Sequence, residues 1–314
     1  MNLATHPVVA SLTPVFLLIA AGFLAGRLQW IRDGAIKDLS NLVFLLLIPA
    51  LLFRTMSAVH FEELDLRPVG AYFLAALTLL GVSIAWRGFN RSSVVLALAG
   101  TFSNMVMIGI TLVELAYGKA GLVTLLTLVS VHALILLTVG SVVLELAVAR
   151  EVRQGGQRSP HVLATAWSAF KGALLHPIPL PIVSGLLFAQ TGWALPAVVD
   201  RPLQLLGSAF GPIALVLVGV TLARTPMAGH LRQALWVTVS KNVALPVLVW
   251  ACAWAMGISG LPLTVMVVAA ALPIGANVFL FAQRYEVAQE ITTASMGLST
   301  LLALLTLSFF MMLR

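Results

Sequence analysis

The sequence predicts an all-helical membrane protein. Ten transmembrane helices form two inverted halves of five, and helices 4 and 9 are broken and cross. Three observations predict this. Of the 314 residues, 60% are hydrophobic and 9% charged, whereas soluble domains run about 45–50% apolar and about 25% charged. The apolar residues gather into about ten runs, each near the roughly 20 residues that a bilayer core asks of a helix. Prolines, glycines and tryptophans of the first half also recur in the second at one offset. So few charges cannot cover the surface of a water-soluble fold, which excludes a cytosolic enzyme and a disordered chain. The formal net charge of +7 does not signal nucleic acid. The basic residues stand in ones and twos between apolar runs, as in membrane loops, not in a stripe.

The spans are, in order, 8–26, 36–56, 68–86, 93–116, 120–148, 175–191, 203–222, 233–256, 262–282 and 289–313. The first has no Lys or Arg before it and no small-residue cleavage site after it. It reads as a retained span, not a signal peptide. The stretch 161–176 (HVLATAWSAFKGALLH) is too short and too polar to span, and reads as an amphipathic segment leading into span 6. The chain then divides into a first five-helix repeat (1–149), a cytoplasmic linker with its amphipathic segment (150–174) and a second five-helix repeat (175–314). Cys252, the one cysteine, forbids an internal disulfide and reads as a small buried hydrophobe in span 8. The methionines and tryptophans are spread out and read as packing and interface residues.

Orientation follows the basic residues of the connections. With ten spans both termini share a face with Arg54, Arg67, Lys119, Arg201 and Arg314. The other face carries Arg27, Arg32, Lys37, Arg87, Arg91, Arg150, Arg153, Arg158, Lys171, Arg224, Arg232 and Arg284. The richer face is expected to be cytoplasmic, so both termini point outward.

The repeat lies in residues that shape helices. At an offset of 163, Pro14 falls on Pro177, Gly22 on Gly185, Trp30 on Trp193 and Pro49 on Pro212. These pairs tie span 1 to span 6 and span 2 to span 7. Five is odd, so the second copy enters the membrane from the opposite side. Inverted repeats of this kind are frequent in secondary transporters.

Spans 4 and 9, the fourth of each half, differ from the rest. Span 4 holds Gly100, Thr101, Ser103, Asn104 and Gly109; span 9 holds Pro273, Gly275 and Asn277. Proline removes an intrahelical hydrogen bond, glycine loosens the backbone and asparagine competes for its polar groups. Freed backbone groups survive in a bilayer only where protein or a water-filled cavity satisfies them. Both spans are therefore expected to unwind near the midplane and cross there. Half-helix N-termini would then favour an anion. Asn104 and Asn277 would offer amide donors without the cost of a buried charge. The alternative for each is a kinked helix whose Asn makes one interhelical bond.

At these residues the chain resembles the auxin efflux carrier family, which includes plant PIN-FORMED carriers and bacterial organic-acid transporters. The likeness is carried by PVFLLIAAGFLAGRLQWI at 14–31, LLIPALLF at 46–53, Phe102-Ser103-Asn104 through Gly109, Tyr117-Gly118, FGPIALVLVGVTLA at 210–223, LPIGANVFLFAQRYEV at 272–287 and GLSTLLALLTL at 297–307. The resemblance implies crossing helices 4 and 9, a homodimer and small carboxylate substrates. It also implies an elevator-like movement of spans 3–5 and 8–10 against spans 1, 2, 6 and 7. The family's crossing asparagines map onto Asn104 and Asn277. Its crossover prolines map onto Ile110 and Pro273, and Ile110 departs from the pattern. The span 4 break is then expected to be softer and to rest on Gly109 and Asn104. The long cytoplasmic loop of many plant members is missing, as in the compact bacterial form.

Ionisable residues inside spans are candidates for function. Lys241 in span 8 either attracts the substrate carboxylate or snorkels to the cytoplasmic face. His132 in span 5 either relays a proton or sits neutral and hydrogen-bonded. Glu114 and Glu145 lie toward span ends and are expected to reach an interface, with proton coupling as the alternative. Arg54 and Arg284 read as interface anchors. No metal-ligand cluster, phosphate-binding loop or catalytic motif is present, so neither a cofactor nor a metal is expected.

The expected function is transport of a small organic anion, a dicarboxylate or an auxin-like carboxylate, across a bacterial inner membrane. The expected substrate-binding residues are Asn104, Asn277, Ser103, Gly109, Pro273, Gly275 and Lys241, with His132 and Glu114 as proton-coupling candidates. A sodium-coupled symporter like the bile-acid carriers and a non-transporting membrane sensor remain as alternatives.

Overall fold

The structure, a computed structural model, describes residues 7–60, 62, 64–154, 167, 179–224 and 230–312. Most of the expected linker and amphipathic segment lies outside these residues. The helices are α1 (Pro7–Arg27), α2 (Asp33–Leu42), α3 (Ile48–Met56), α4 (Arg67–Arg87), α5 (Arg91–Ala99), α6 (Ile110–Gln154), α7 (Pro179–Ala189), α8 (Ala197–Arg224), α9 (Leu231–Val239), α10 (Leu245–Ala255), α11 (Gly260–Ala271), α12 (Asn277–Arg284) and α13 (Gln289–Met312).

Among the described residues, six helical runs are long and apolar enough to cross a membrane: Gly34–Met56, Arg67–Arg87, Met105–Val152, Ala197–Arg224, Leu231–Ala255 and Gln289–Met312. Leu12–Arg27, Leu180–Ala189 and Gly260–Ala271 are shorter apolar helices. The run from Met105 bends at Gly118, whose φ of 62° and ψ of −159° are not helical. Span 9 falls short as one helix because its winding is interrupted between Ala271 and Asn277.

Two of the long helices contain π turns with a local cause. Val43–Leu47 joins α2 to α3, and Ser240–Ala244 joins α9 to α10. Each stands just before a proline, Pro49 and Pro246. Proline has no N–H to give to the turn behind it. The preceding amide instead bonds five residues back, from Ile48 N to Val43 O and from Leu245 N to Ser240 O. The helix thus continues with one widened turn, a feature frequent at functional sites.

The chain forms two compact units. The first comprises Met1–Leu66, Met105–Val131 and Leu175–Thr225; the second comprises Arg67–Asn104, His132–Leu174 and Pro226–Arg314. Each draws on both halves of the sequence.

In the first unit α1 lies against α8 with backbones in near contact. A Cβ on Gly22 would stand 2.0 Å from the Val216 carbonyl oxygen, and one on Gly219 would stand 2.0 Å from that of Ile19. Small residues are what let helices approach this closely where lipid supplies no hydrophobic drive. A Cβ on Gly185 of α7 would meet the Phe53 carbonyl at 2.7 Å.

The second unit has its core in α4, α5, α9 to α11 and α13. Ala71, Ala75 and Ala76 of α4 and Ala269 to Ala271 of α11 are fully buried. Trp30, Trp86, Trp193 and Trp254 stand at or just beyond helix ends with most of their surface exposed. That is where interfacial anchors belong.

Candidate functional site

Both helical breaks lie in the second unit. The first follows α5. Asn90 caps the start of that helix, its side-chain oxygen accepting from Ser93 N at 2.9 Å. After Ala99 the chain unwinds, and the Thr101 hydroxyl donates to the carbonyls of Ala97 and Leu98, both at 3.2 Å. The second break follows α11. Leu272 precedes a proline and so avoids helical geometry, with a ψ of 154°.

The two unwound segments pair with each other. Ser103 and Ile274 form an isolated antiparallel β-bridge. Asn104 N donates to the Pro273 carbonyl at 2.8 Å, and Gly275 N donates to the Phe102 carbonyl at 2.9 Å. The breaks therefore satisfy part of each other's exposed peptide groups, as an apolar environment demands. Close approach needs a glycine here. A Cβ on Gly275 would fall 2.8 Å from a ring carbon of Phe102 and 3.2 Å from the Ser103 carbonyl oxygen.

Lys241 supports the second break from behind. Its side chain is fully buried, and Nζ donates to the carbonyls of Ala270 at 2.5 Å and Leu272 at 2.6 Å. These are the carbonyls that the end of α11 leaves unpaired, at the negative pole of that helix. The ammonium is a C-terminal cap, so Lys241 does not snorkel to a face. Its neighbour Asn242 is equally buried. Asn242 Nδ2 donates to the Ser299 carbonyl at 3.0 Å, and its Oδ1 accepts from the Ser299 hydroxyl at 2.5 Å. Ser299 Oγ in turn accepts from Ile274 N at 3.1 Å. The π turn at Ser240–Ala244 thus presents two successive polar residues to the same break.

The first break has a counterpart support. The Tyr72 hydroxyl of α4 lies 3.1 Å from Ser103 Oγ and 3.5 Å from His132 Nε2. The Phe102 ring packs edge-on against His132, with centroids 4.6 Å apart. His132 is buried, and its hydrogen-bond partner among the described residues is Tyr72. One neutral hydrogen bond contributes about 1 kcal/mol. Tyr72→Phe is therefore expected to lower stability by about that much, with a fall of a few degrees in the unfolding temperature of the purified protein.

Of the residues singled out in the sequence, Ser103, Asn104, Pro273 and Gly275 form the pairing itself. Asn277 opens α12 directly after it, half-buried, with no side-chain hydrogen bond among the described residues. Lys241 and His132 stand behind the two breaks. Gly109 and Glu114 belong to the first unit. Gly109 ends a π turn, Met105–Gly109, and the unwound residues come before that turn. The first break therefore rests on Gly100 to Asn104 and the bridge, not on Gly109, and Ile110 simply begins α6. Glu145 does not reach an interface. It is buried and accepts from the Tyr285 hydroxyl at 2.8 Å. Burial, then the carboxylate of Glu145, push the Tyr285 phenol above its ordinary pKa. Arg54 pairs with Asp200, Nε to Oδ1 at 2.7 Å and Nη2 to Oδ2 at 3.2 Å.

Tyr72, Asn242 and Ser299 were not anticipated. The signal for Asn242 was available, because three consecutive polar residues, Ser240, Lys241 and Asn242, interrupt a mostly apolar span. Ser299 and Tyr72 carry no such mark. Among the described residues, no group of His, Cys, Asp and Glu is arranged to hold a metal ion.

Comparisons with known proteins agree in kind. A family model described as membrane transport protein matches residues 7–311. A Rhizobium meliloti (strain 1021) protein, named as a candidate malonate transporter, is 27% identical over 94% of this chain and 92% of its own length. Auxin efflux carrier component 8 of Arabidopsis thaliana is 23% identical over 98% of each chain. The uncharacterized transporter YfdV of Escherichia coli (strain K12) is 22% identical over 93% of each.

Proposed function

Since the chain belongs to the membrane transport protein family, the group of the auxin efflux carriers, we propose that it is a secondary transporter that moves a small organic anion, a dicarboxylate or an auxin-like carboxylate, across the bacterial inner membrane. The observation that carries this reading is the antiparallel pairing of Phe102–Asn104 with Pro273–Gly275. The substrate carboxylate meets the N-terminal end of α12 and the side-chain amides of Asn104 and Asn277. Helix N-termini favour negative charge, and amides donate without carrying charge of their own. Lys241 and Asn242 act as positioning residues that hold the break in its unwound form.

Alternating access follows an elevator scheme in which the unit bearing the crossing carries the substrate. Support comes from the division of the chain, since the helices from spans 1, 2, 6 and 7 fall in one unit and those from spans 3, 8, 9 and 10 in the other. The inverted 5+5 repeat also draws support from packing in the first unit. Adding the offset of 163 to Gly22 and Phe53 gives Gly185 and Val216, and the tight contact of Gly22 with Val216 is matched by that of Gly185 with Phe53. The protein works as a homodimer with both termini outside.

The test is counterflow in proteoliposomes, with malonate and indole-3-acetate as probes. Asn104→Ala and Asn277→Ala are each expected to abolish counterflow of the transported probe while expression and dimerisation stay intact. Normal flux in both variants would refute the site assignment.

A further inference from the structure

The first unit contains a cavity of about 450 Å³ whose lining lies entirely within that unit. Its walls are mostly apolar, with Leu18, Leu51 and Phe210 among them, but five polar residues interrupt them: Arg54, Thr111, Glu114, Gln204 and Ser208.

Arg54 is the cation of this lining. It stands in the last turn of α3, and Asp200 stands in the first turn of α8. Each charge sits at the helix end that favours it. Asp200 itself does not line the cavity. The aspartate engages Nε and Nη2, and Nη1 has no hydrogen bond among the described residues. The pair thus fixes the guanidinium while leaving donors uncommitted, an arrangement that suits planar recognition of a carboxylate.

Two further details fit a ligand. Thr111 lines the cavity, and its hydroxyl is buried without a hydrogen-bond partner, which in a native fold calls for an explanation. A Cβ on Gly211 would come within 3.0 Å of that side chain, and one on Gly207 within 3.3 Å of Leu51 Cα. The glycine face of α8 is thus already in contact with its neighbours, so the cavity beside it does not come from loose packing along that face.

We infer that this cavity is a binding site for a monocarboxylate with an apolar body, taken up together with one proton. The carboxylate meets Arg54, with Thr111 beside it, and the body lies against Leu18, Leu51 and Phe210. A second carboxylate on the ligand would find no further cation in the lining. Glu114 would repel even the first, and that repulsion is relieved when a proton from solvent adds to a Glu114 carboxylate oxygen. Ligand and proton therefore enter as a neutral pair. The charged and titratable groups concerned are Arg54 and Glu114 on the lining, Asp200 behind Arg54, and Arg201, whose guanidinium donates to the lining residue Gln204 at 3.0 Å.

The test uses the full chain purified in detergent, with phenylacetate as the probe and calorimetry in two buffers of different ionisation heat. Measurements are made in the Asn277→Ala background, so that binding at the crossing does not contribute. The expected result is binding with net proton uptake and an affinity that falls as pH rises, by at most about tenfold per pH unit for one linked proton. Glu114→Gln is expected to bind without proton uptake and with a flat pH profile. Because Arg54→Gln alone strands Asp200, the double change Arg54→Gln/Asp200→Asn is measured, with an expected loss of at least about tenfold in affinity. Malonate is expected not to displace phenylacetate. Undiminished binding in the double variant would overturn the proposal, as would proton uptake persisting in Glu114→Gln or displacement by malonate. Absence of binding in the Asn277→Ala background would also overturn it, and would assign the probe to the crossing instead.

Discussion

Replacing Lys241 by methionine is expected to cut counterflow at least about 100-fold, equivalent to about 2.7 kcal/mol on the transport barrier. The ammonium makes two charge-assisted hydrogen bonds, each worth about 1.5–3 kcal/mol, to the Ala270 and Leu272 carbonyls. Methionine fills similar volume but leaves both carbonyls unpaired in a buried place. The loss is offset in part, since the variant no longer buries an ammonium, a cost of several kcal/mol. Overall stability therefore changes modestly, while the geometry of the break has nothing to restore it. The expected signature is lost flux with an unfolding temperature only a few degrees lower. Lys241→Arg is not expected to rescue, because the larger planar fork does not fit a fully buried site matched to a point charge. Wild-type flux in Lys241→Met would show that the cap is dispensable.

Gly275→Val is expected to reduce counterflow to background. The first carbon of the new side chain lands 2.8 Å from the Phe102 ring and 3.2 Å from the Ser103 carbonyl oxygen. The ring is held against His132, with centroids 4.6 Å apart, and the carbonyl is backbone, so neither yields cheaply. The two segments must separate, which breaks the hydrogen bonds Asn104 N to Pro273 O and Gly275 N to Phe102 O. Gly275→Ala places the same first carbon without the branches and should retain a small residual flux. Counterflow of both variants, with size-exclusion profiles to confirm folding, checks the order wild type, Ala, Val.

The long apolar helices and the two breaks were legible because they are written in composition, although six helical runs among the described residues, not ten, are long and apolar enough to cross a membrane. Long apolar runs have few other fates, and Pro273, Gly275 and Gly100 disfavour a regular helix wherever they stand. The pairing partner of each break was also inferable, from the matched positions of Asn104 and Asn277. The supports behind the breaks were less legible, because they depend on which helix lies against which. Lys241 illustrates this. Its charge marked it at once, but the sequence could not say that α11 would end beside it with two carbonyls to cap. Glu145 shows the same limit, since its position near a span end suggested water and tertiary packing gave it Tyr285 instead. Gly109 erred in the other direction. The break was expected to rest on Gly109 and Asn104; Asn104 lies in the unwound segment, whereas Gly109 falls in the π turn after it, because the unwinding occurs earlier, where Thr101 can cover the carbonyls that α5 leaves open.

The pairing of the two unwound segments is tested most directly by a cross-link. Ser103 and Ile274 are the opposed residues of the bridge, flanked by its two hydrogen bonds. Such a pair has Cα atoms about 4.5 Å apart, within the range of about 4.4–6.8 Å that a disulfide accepts. Ser103→Cys with Ile274→Cys, made in a Cys252→Ala background, should form an intramolecular disulfide under mild oxidation of the folded protein, detected by mass spectrometry of the digested chain. Two thiols that both remain open to alkylation after oxidation would contradict the crossing and the transport site built on it.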